Sequence, residues 1–166
     1  MTIGVMSDTH RNIELMNRAA DLMIHTFGAE RICHLGDDYE DAEVLGDRGV
    51  RVTKVPGIYD KEYTDAEIPK RVTDDVEGTK VLAAHSTKTI PQVEIDVADI
   101  VLVGHTHLYE ITSVGNVVVF NPGHLKNFSD KGREPTFGII EITDDAICFA
   151  VHNLNGEIVE TRERKR

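Results

Sequence analysis

Three short apolar runs, at 2–6, 31–35 and 50–55, alternate with two segments that carry helical patterns. This alternation constrains the fold more than anything else in the chain. Over residues 12–27 the apolar positions Ile13, Met16, Ala20, Met23, Ile24 and Phe27 recur at steps of three and four. That is one face of an amphipathic helix, and Gly28 supplies the residue that closes it. A shorter polar helix is predicted near 39–46, ended by Gly46 or Gly49. Strands joined through helices need crossover connections, and such crossovers are right-handed and build a parallel sheet.

The second half reads differently. Candidate strands lie at 79–84, 99–103, 109–114, 117–120, 136–142 and 146–152, with tight-turn pairs at Gly115–Asn116, Asp144–Asp145 and Asn155–Gly156. Those turns make hairpins, so antiparallel strands join the parallel set. At 166 residues the chain is long enough for one domain with a sizeable core. The predicted layout is a single domain over 1–160 followed by a charged tail, 161–166, that frays.

Composition excludes some roles. A net charge of −11 opposes a grip on a nucleic-acid backbone, which needs clustered cations. It does not oppose a small phosphorylated substrate, because a bound cation inverts the local field. Both cysteines, Cys33 and Cys148, sit inside apolar runs and read as reduced packing residues. No apolar run reaches membrane-spanning length and no secretory signal pattern opens the chain. The expected setting is the cytoplasm, with no membrane partner and with a homo-oligomer left open.

Sites in open α/β sheets form where strands deliver their carboxyl ends. Asp8 and His10 follow the first strand, Asp37 and Asp38 the second, His85 the run at 79–84, and His105 and His107 the run at 99–103. Singly, each has an ordinary reading. SDTH at 7–10 would serve as a helix N-cap, and LGDD at 35–38 as a turn. His34 lies within a strand and reads as a supporting residue, while His25 and His152 read as surface or packing. Taken together, and each after a strand, these acids and imidazoles point to a metal site.

The donor set narrows the metal. Carboxylates with four imidazoles and no thiolate exclude a Cys-rich structural zinc site. Mixed N/O ligation suits Mn²⁺, Fe, Zn²⁺, Ni²⁺ or Co²⁺. Six ligands, Asp8, His10, Asp37, His85, His105 and His107, are too many for one open ion but suit two ions that share a carboxylate. Such pairs generate hydroxide near neutral pH and clamp an in-line displacement at phosphorus.

SDTH at 7–10, GDD at 36–38, AAH at 83–85 and GHTH at 104–107 occur in the order found in the calcineurin-like metallophosphoesterases. NPGH at 121–124 and EPTFGIIEI at 134–142 extend the resemblance, which is nearest to the small single-domain prokaryotic phosphodiesterases. It implies a four-layer α/β/β/α sandwich of two mixed sheets flanked by helices. It places one ion on Asp8, His10, Asp37 and His107, and a second on bridging Asp37, His85 and His105. The implied cofactors are two divalent ions, with Mn²⁺ first among those compatible. The implied activity is hydrolysis of a small phosphate ester, a diester before a monoester, by a hydroxide bound at the two-metal site and bridged by Asp37.

One departure stands out. The family's Asn ligand falls on Ile58 within VPGIYD, and Tyr59 replaces a histidine that protonates the leaving group in many members. His124, in place of a usual Ser, and Asp60 are the substrate-side candidates near that gap. The alternative is a non-catalytic or weakly active metal-binding scaffold of the same fold, the role that a retromer subunit gives it. Six intact ligand positions favour the enzyme.

Overall fold

The computed structural model describes residues 1–166 as two mixed β-sheets stacked face to face. The six-stranded sheet contains β1 (Thr2–Met6), β2 (Arg31–His34), β3 (Arg51–Lys54), β9 (Thr136–Ile142), β10 (Ala146–Asn153) and β11 (Ile158–Lys165), ordered β11-β10-β9-β1-β2-β3. The five-stranded sheet contains β4 (Arg71–Val76), β5 (Thr79–Ala84), β6 (Ile100–Leu102), β7 (Tyr109–Val114) and β8 (Val117–Pro122), ordered β4-β5-β6-β8-β7. β1 pairs in parallel with β2, and β2 with β3, while β9, β10 and β11 add antiparallel hairpins. In the other sheet β5, β6 and β8 are parallel, with β4 and β7 antiparallel at the edges.

Three apolar layers hold the sandwich together. Ile3, Val5, Leu35, Ile140 and Phe149 meet Val81, Ile100, Leu102 and Phe120 between the sheets. Outside the six-stranded sheet, helix α1 (Ile13–Asp21) buries Leu15, Met16, Ala19 and Ala20 against Ile32, Phe137 and Ile139. Outside the other sheet, Ile95 of the short helix α2 (Gln92–Asp96) covers Leu82, Val101 and Val103. At about 25 cal/mol per Å² of apolar surface removed from water, burial on both faces of each sheet is what fixes strand register. No helix is long and apolar enough to cross a membrane.

The first helix is capped by Asn12, whose side chain accepts from the Leu15 N–H at 3.2 Å, and not by a residue of the SDTH run at 7–10. Its last turn widens into a π-helical turn, Leu22–Thr26, before Gly28 takes a left-handed φ of +68°. The polar segment after β2 is a 3-10 helix, Tyr39–Arg48, stopped by Gly49 at φ +75°. Both cysteines are free, with Cys33 buried and Cys148 partly so.

The structure differs from the sequence expectation at two strands. β4 was not predicted, because RVTDDV is an edge strand in which Val76 is its buried apolar residue. The tail expected to fray is strand β11, paired along β10 from Ala146↔Lys165 to His152↔Ile158. Its arginines replace an apolar face. Arg162 reaches the Ile111 carbonyl at 3.3 Å, and Arg164 reaches the carbonyls of Asp99 and Asn116 at 3.0 and 2.8 Å. The strand therefore ties one sheet to the rim of the other through its guanidinium groups.

Candidate metal centre

The carboxyl ends of β1, β2, β5 and β6 open on the same rim of the sandwich, two from each sheet. Asp8 N–H donates to the Gly36 carbonyl at 2.9 Å, and Gly104 N–H to the His85 carbonyl at 3.0 Å. The His105 N–H crosses between the sheets to Oδ2 of Asp8 at 3.0 Å. Five of the six candidate ligands turn sharply through left-handed backbone: Asp8 (φ 54°), His10 (46°), Asp37 (57°), His105 (72°) and His107 (60°). L-residues avoid that region, and its concentration at one rim marks a site where geometry outranks local preference.

Glycines let the loops approach. A Cβ on Gly104 would sit 1.8 Å from the Ser7 hydroxyl, and one on Gly57 would sit 2.1 Å from Oδ1 of Asp37. No larger residue fits either place without moving a candidate ligand.

One ligand atom each from Asp8, His10, Asp37 and His107 lies within 4.8 Å of the others. Nε2 of His107 is 3.2 Å from Nε2 of His10 and 3.2 Å from Oδ1 of Asp8, while Nε2 of His10 is 3.4 Å from Oδ2 of Asp37. His85 stands outside this group of four, with its Nε2 3.2 Å from Oδ1 of Asp37. His105 also stands outside, its ring edge-on to that of His85 at a centroid separation of 5.1 Å. Asp37 thus has one oxygen toward His10 and the other toward His85.

The residues fit a cation by their unmet needs. Nδ1 of His85 is held by the Leu35 carbonyl at 2.7 Å, so it carries the proton. The ring's other nitrogen, Nε2, is left to face a carboxylate oxygen of Asp37. Nδ1 of His107 likewise donates to Oδ2 of Asp130 at 2.8 Å, turning a lone pair at Nε2 toward Asp8 and His10. Oδ1 of Asp8 and Nε2 of His85 are buried without a hydrogen-bond partner, so the 3.2 Å approach of His107 to Asp8 is a charge contact lacking hydrogen-bond direction. Acceptors facing acceptors repel unless a proton or a cation lies between them. The Asp8 contact raises the His107 pKa against the opposing effect of burial, and Asp130 adds to it. Surroundings that favour a proton there favour a metal ion for the same reason. Burial pushes the Asp37 pKa up, opposed mainly by His85.

The loop after β3 holds itself in place. Both oxygens of Asp60 are taken by backbone donors: Asp38 N–H at 2.9 Å, Tyr39 N–H at 3.1 Å and Gly57 N–H at 2.7 Å. This carboxylate, a substrate-side candidate from the sequence, anchors the loop through both oxygens. Ile58 beside it is half-buried, and Tyr59 is 87% exposed.

His124 is fully buried and neither ring nitrogen has a partner. Its ring lies 5.6 Å from that of His107. Burial, with the neighbouring His107 acting in the same direction, lowers its pKa, and the ring stands behind the four-residue group.

Among the supporting residues, sequence reasoning read His34 but missed Asp130 and Asp41. Asp130 sits in a polar loop with no spacing that links it to His107. Thr9 donates to Asp41 at 2.7 Å and contacts Nε2 of His34 at 3.1 Å. With the Thr9 proton committed to Asp41, His34 donates to Thr9 from Nε2 and accepts the Gly36 N–H at Nδ1, 3.4 Å away. His34 is fully buried, and burial lowers its pKa to about 4.

Comparison with known proteins agrees with this geometry. Residues 1–145 match the model of the calcineurin-like phosphoesterase superfamily domain. A phosphodiesterase of Methanocaldococcus jannaschii is 25% identical over 158 residues, covering 85% of this chain and 93% of the relative. A solved phosphoesterase from E. coli superposes with a TM-score of 0.75 at 21% identity, over 98% of both chains. Vacuolar Protein Sorting 29 from Cryptosporidium parvum superposes with a TM-score of 0.78 at 19% identity, over 99% of this chain and 98% of that one. Fold likeness at such low identity does not separate the two, but the sequence match over most of the chain assigns this protein to the calcineurin-like phosphoesterase superfamily.

Proposed function

We propose that the protein is a metal-dependent phosphodiesterase that acts on small phosphate esters in the cytoplasm. The observation that carries this reading is the convergence of Asp8, His10, Asp37 and His107 within 4.8 Å, with Asp37 reaching onward to His85. Family membership and a relative named as a phosphodiesterase support ester hydrolysis.

In this proposal Asp8, His10, Asp37 and His107 hold one divalent ion, and Asp37, His85 and His105 hold a second. Mn²⁺ is the first choice among ions that suit N/O donors. Paired ions at such a site acidify water and neutralise the oxygens of an in-line displacement. The chain's own residues set the geometry for this. Leu35 and Asp130 fix the tautomers of His85 and His107, and Gly57 and Gly104 leave room for the carboxylates. His105 N–H orients Asp8.

None of the three candidates near the gap stands ready to protonate a leaving group. Tyr59 projects into solvent, Asp60 is saturated by backbone N–H groups, and His124 is enclosed. The enzyme should therefore favour esters whose leaving group departs as a stable anion, such as aryl diesters.

The test combines elemental analysis with hydrolysis of bis(4-nitrophenyl) phosphate, with and without chelator. The wild type should bind Mn²⁺ and show chelator-sensitive turnover, and Asp37→Ala should lose both. Absence of metal and turnover in the wild type, or near-wild-type activity in the mutant, would refute the reading.

A further inference from the structure

Beside the candidate metal centre lies a cleft of about 200 Å³ lined by Arg11, Asp38, Tyr39, Glu40, Tyr59, Asp60, Lys61 and Glu62. It begins one residue beyond two candidate ligands, since Arg11 follows His10 and Asp38 follows Asp37. Arg11 and Asp38 continue the left-handed turns of those residues, with φ of 64° and 70°. Two successive left-handed residues reverse the chain tightly and carry the next side chain out of the metal cluster to the cleft beside it.

The charges of the lining are already matched. Arg11 Nε pairs with Asp38 Oδ1 at 3.2 Å, and Lys61 pairs with Glu40 and Glu62. Asp60 is occupied by three backbone donors. No cation is left unpaired to receive a second phosphate group, and four carboxylates against two cations make the lining unfriendly to another anion. The cleft is a poor place for a polyphosphate chain.

Its unpartnered feature is aromatic. Tyr39 has one face covered by the Lys54 ammonium, 4.0 Å from the ring centroid. Tyr59 is 87% exposed, and no ring or cation is packed on it. A cavity of about 150 Å³ accepts a benzene ring, so about 200 Å³ has room for one aryl ring or one nucleobase. Tyr59 also occupies the loop position next to Ile58, in the turn whose Gly57 touches Asp37.

We infer that this cleft receives a planar aromatic substituent of a phosphodiester, stacked on Tyr59, on the side of phosphorus away from the leaving group. The inference rests on the phosphodiesterase reading and adds the substrate class to it. Tyr59 is then a specificity-determining residue, with the metal ligands holding the single phosphate charge and the tyrosine holding the ring. Aryl and nucleoside diesters share this chemistry.

The test uses diesters with a common 4-nitrophenolate leaving group and a methyl, phenyl or thymidine-5′ second substituent, hydrolysed by the Mn²⁺-loaded protein. The wild type should show a KM for the phenyl or the thymidine ester about 5–10-fold below that of the methyl ester, the lower part of the range expected for aromatic stacking. Tyr59→Ala should bring the ratio to within about twofold, and Tyr59→Phe should keep it. Preference for the phenyl ester alone identifies an aryl ligand, and preference for the thymidine ester a nucleoside. Equal KM values in the wild type, or a preference that survives in Tyr59→Ala, would overturn the inference. If no diester is hydrolysed, the phosphodiesterase reading fails first. The cleft is then judged by NMR titration with diphenyl phosphate. Binding weakened in Tyr59→Ala sustains the ring site, and absent or unaltered binding removes it.

Discussion

Nδ1 of His107 donates to Oδ2 of Asp130 across 2.8 Å, and this one bond decides which face of the imidazole can accept. The carboxylate fixes the ring's tautomer and its rotation, and raises the basicity of Nε2. Partners of this kind typically contribute 10–100-fold to metal affinity. Asp130→Asn keeps an acceptor but loses the charge, and should weaken Mn²⁺ binding about tenfold, near the low end of that range. Asp130→Ala should weaken it further. Calorimetric titration of the folded variants with Mn²⁺ reads the effect, and unchanged affinity in both would separate Asp130 from the site.

His105 and His107 differ by two positions but occupy different parts of the rim. His107 belongs to the group of four, whereas the His105 ring stands against His85. His105→Ala should leave one tightly held ion per chain after dialysis and lose a second. His107→Ala should weaken the better-held ion instead. Metal content after graded dialysis distinguishes them, and identical losses in both variants would show the assignment to be wrong.

Ile58 stands next to Gly57, whose Cα is close enough that an added Cβ would meet Asp37. Putting an amide at this position, Ile58→Asn, should tighten binding of the second ion by up to about 100-fold, the worth of a single ligand or its partner. Activity should rise at limiting Mn²⁺ and change little at saturation if both ions are in use. A folded variant with unaltered metal affinity would mean that position 58 faces away from the centre.

His34 gives a pH prediction about stability. Its pKa falls from 6.5 to about 4 because burial opposes the charged ring. Between those values the unfolded chain holds a proton that the folded chain does not, so stability rises with pH. The contribution is fully present above about pH 6.5 and is lost as pH falls toward 4, reaching about 3 kcal/mol. His34→Gln should flatten that limb of the stability curve. Urea denaturation at a series of pH values checks it, and an unchanged slope would count against a titrating His34.

The strand ends were readable because a strand that delivers an acid or imidazole to its carboxyl end interrupts a run of apolar residues at a fixed place. β1, β2, β5 and β6 all do this. The amphipathic stripe of α1 was equally plain. β4 and β11 left no such trace, since edge strands need to bury little, and Arg162 and Arg164 gain their order from carbonyls of the opposite sheet. Asp130 was illegible for a related reason. Its role depends on a loop folding back to His107, 23 positions away, which no local spacing records. The same is true of Asp60, whose hold on Asp38 and Tyr39 appears only when two loops are seen side by side.

The left-handed backbone at Asp8, His10, Asp37, His105 and His107 also bears on how this centre can be dissected. Alanine in that conformation costs roughly 1–2 kcal/mol, so replacing one of these residues by alanine removes a donor and strains the main chain in the same step. Melting curves of such variants, recorded without metal, would mix the two effects. Glycine takes the conformation without strain and carries no donor, and a Gly/Ala pair at each position would separate loss of a ligand from loss of a turn. The wild-type rim, by the same token, sets its donors through main-chain turns, so metal should add thermal stability without reshaping the loops.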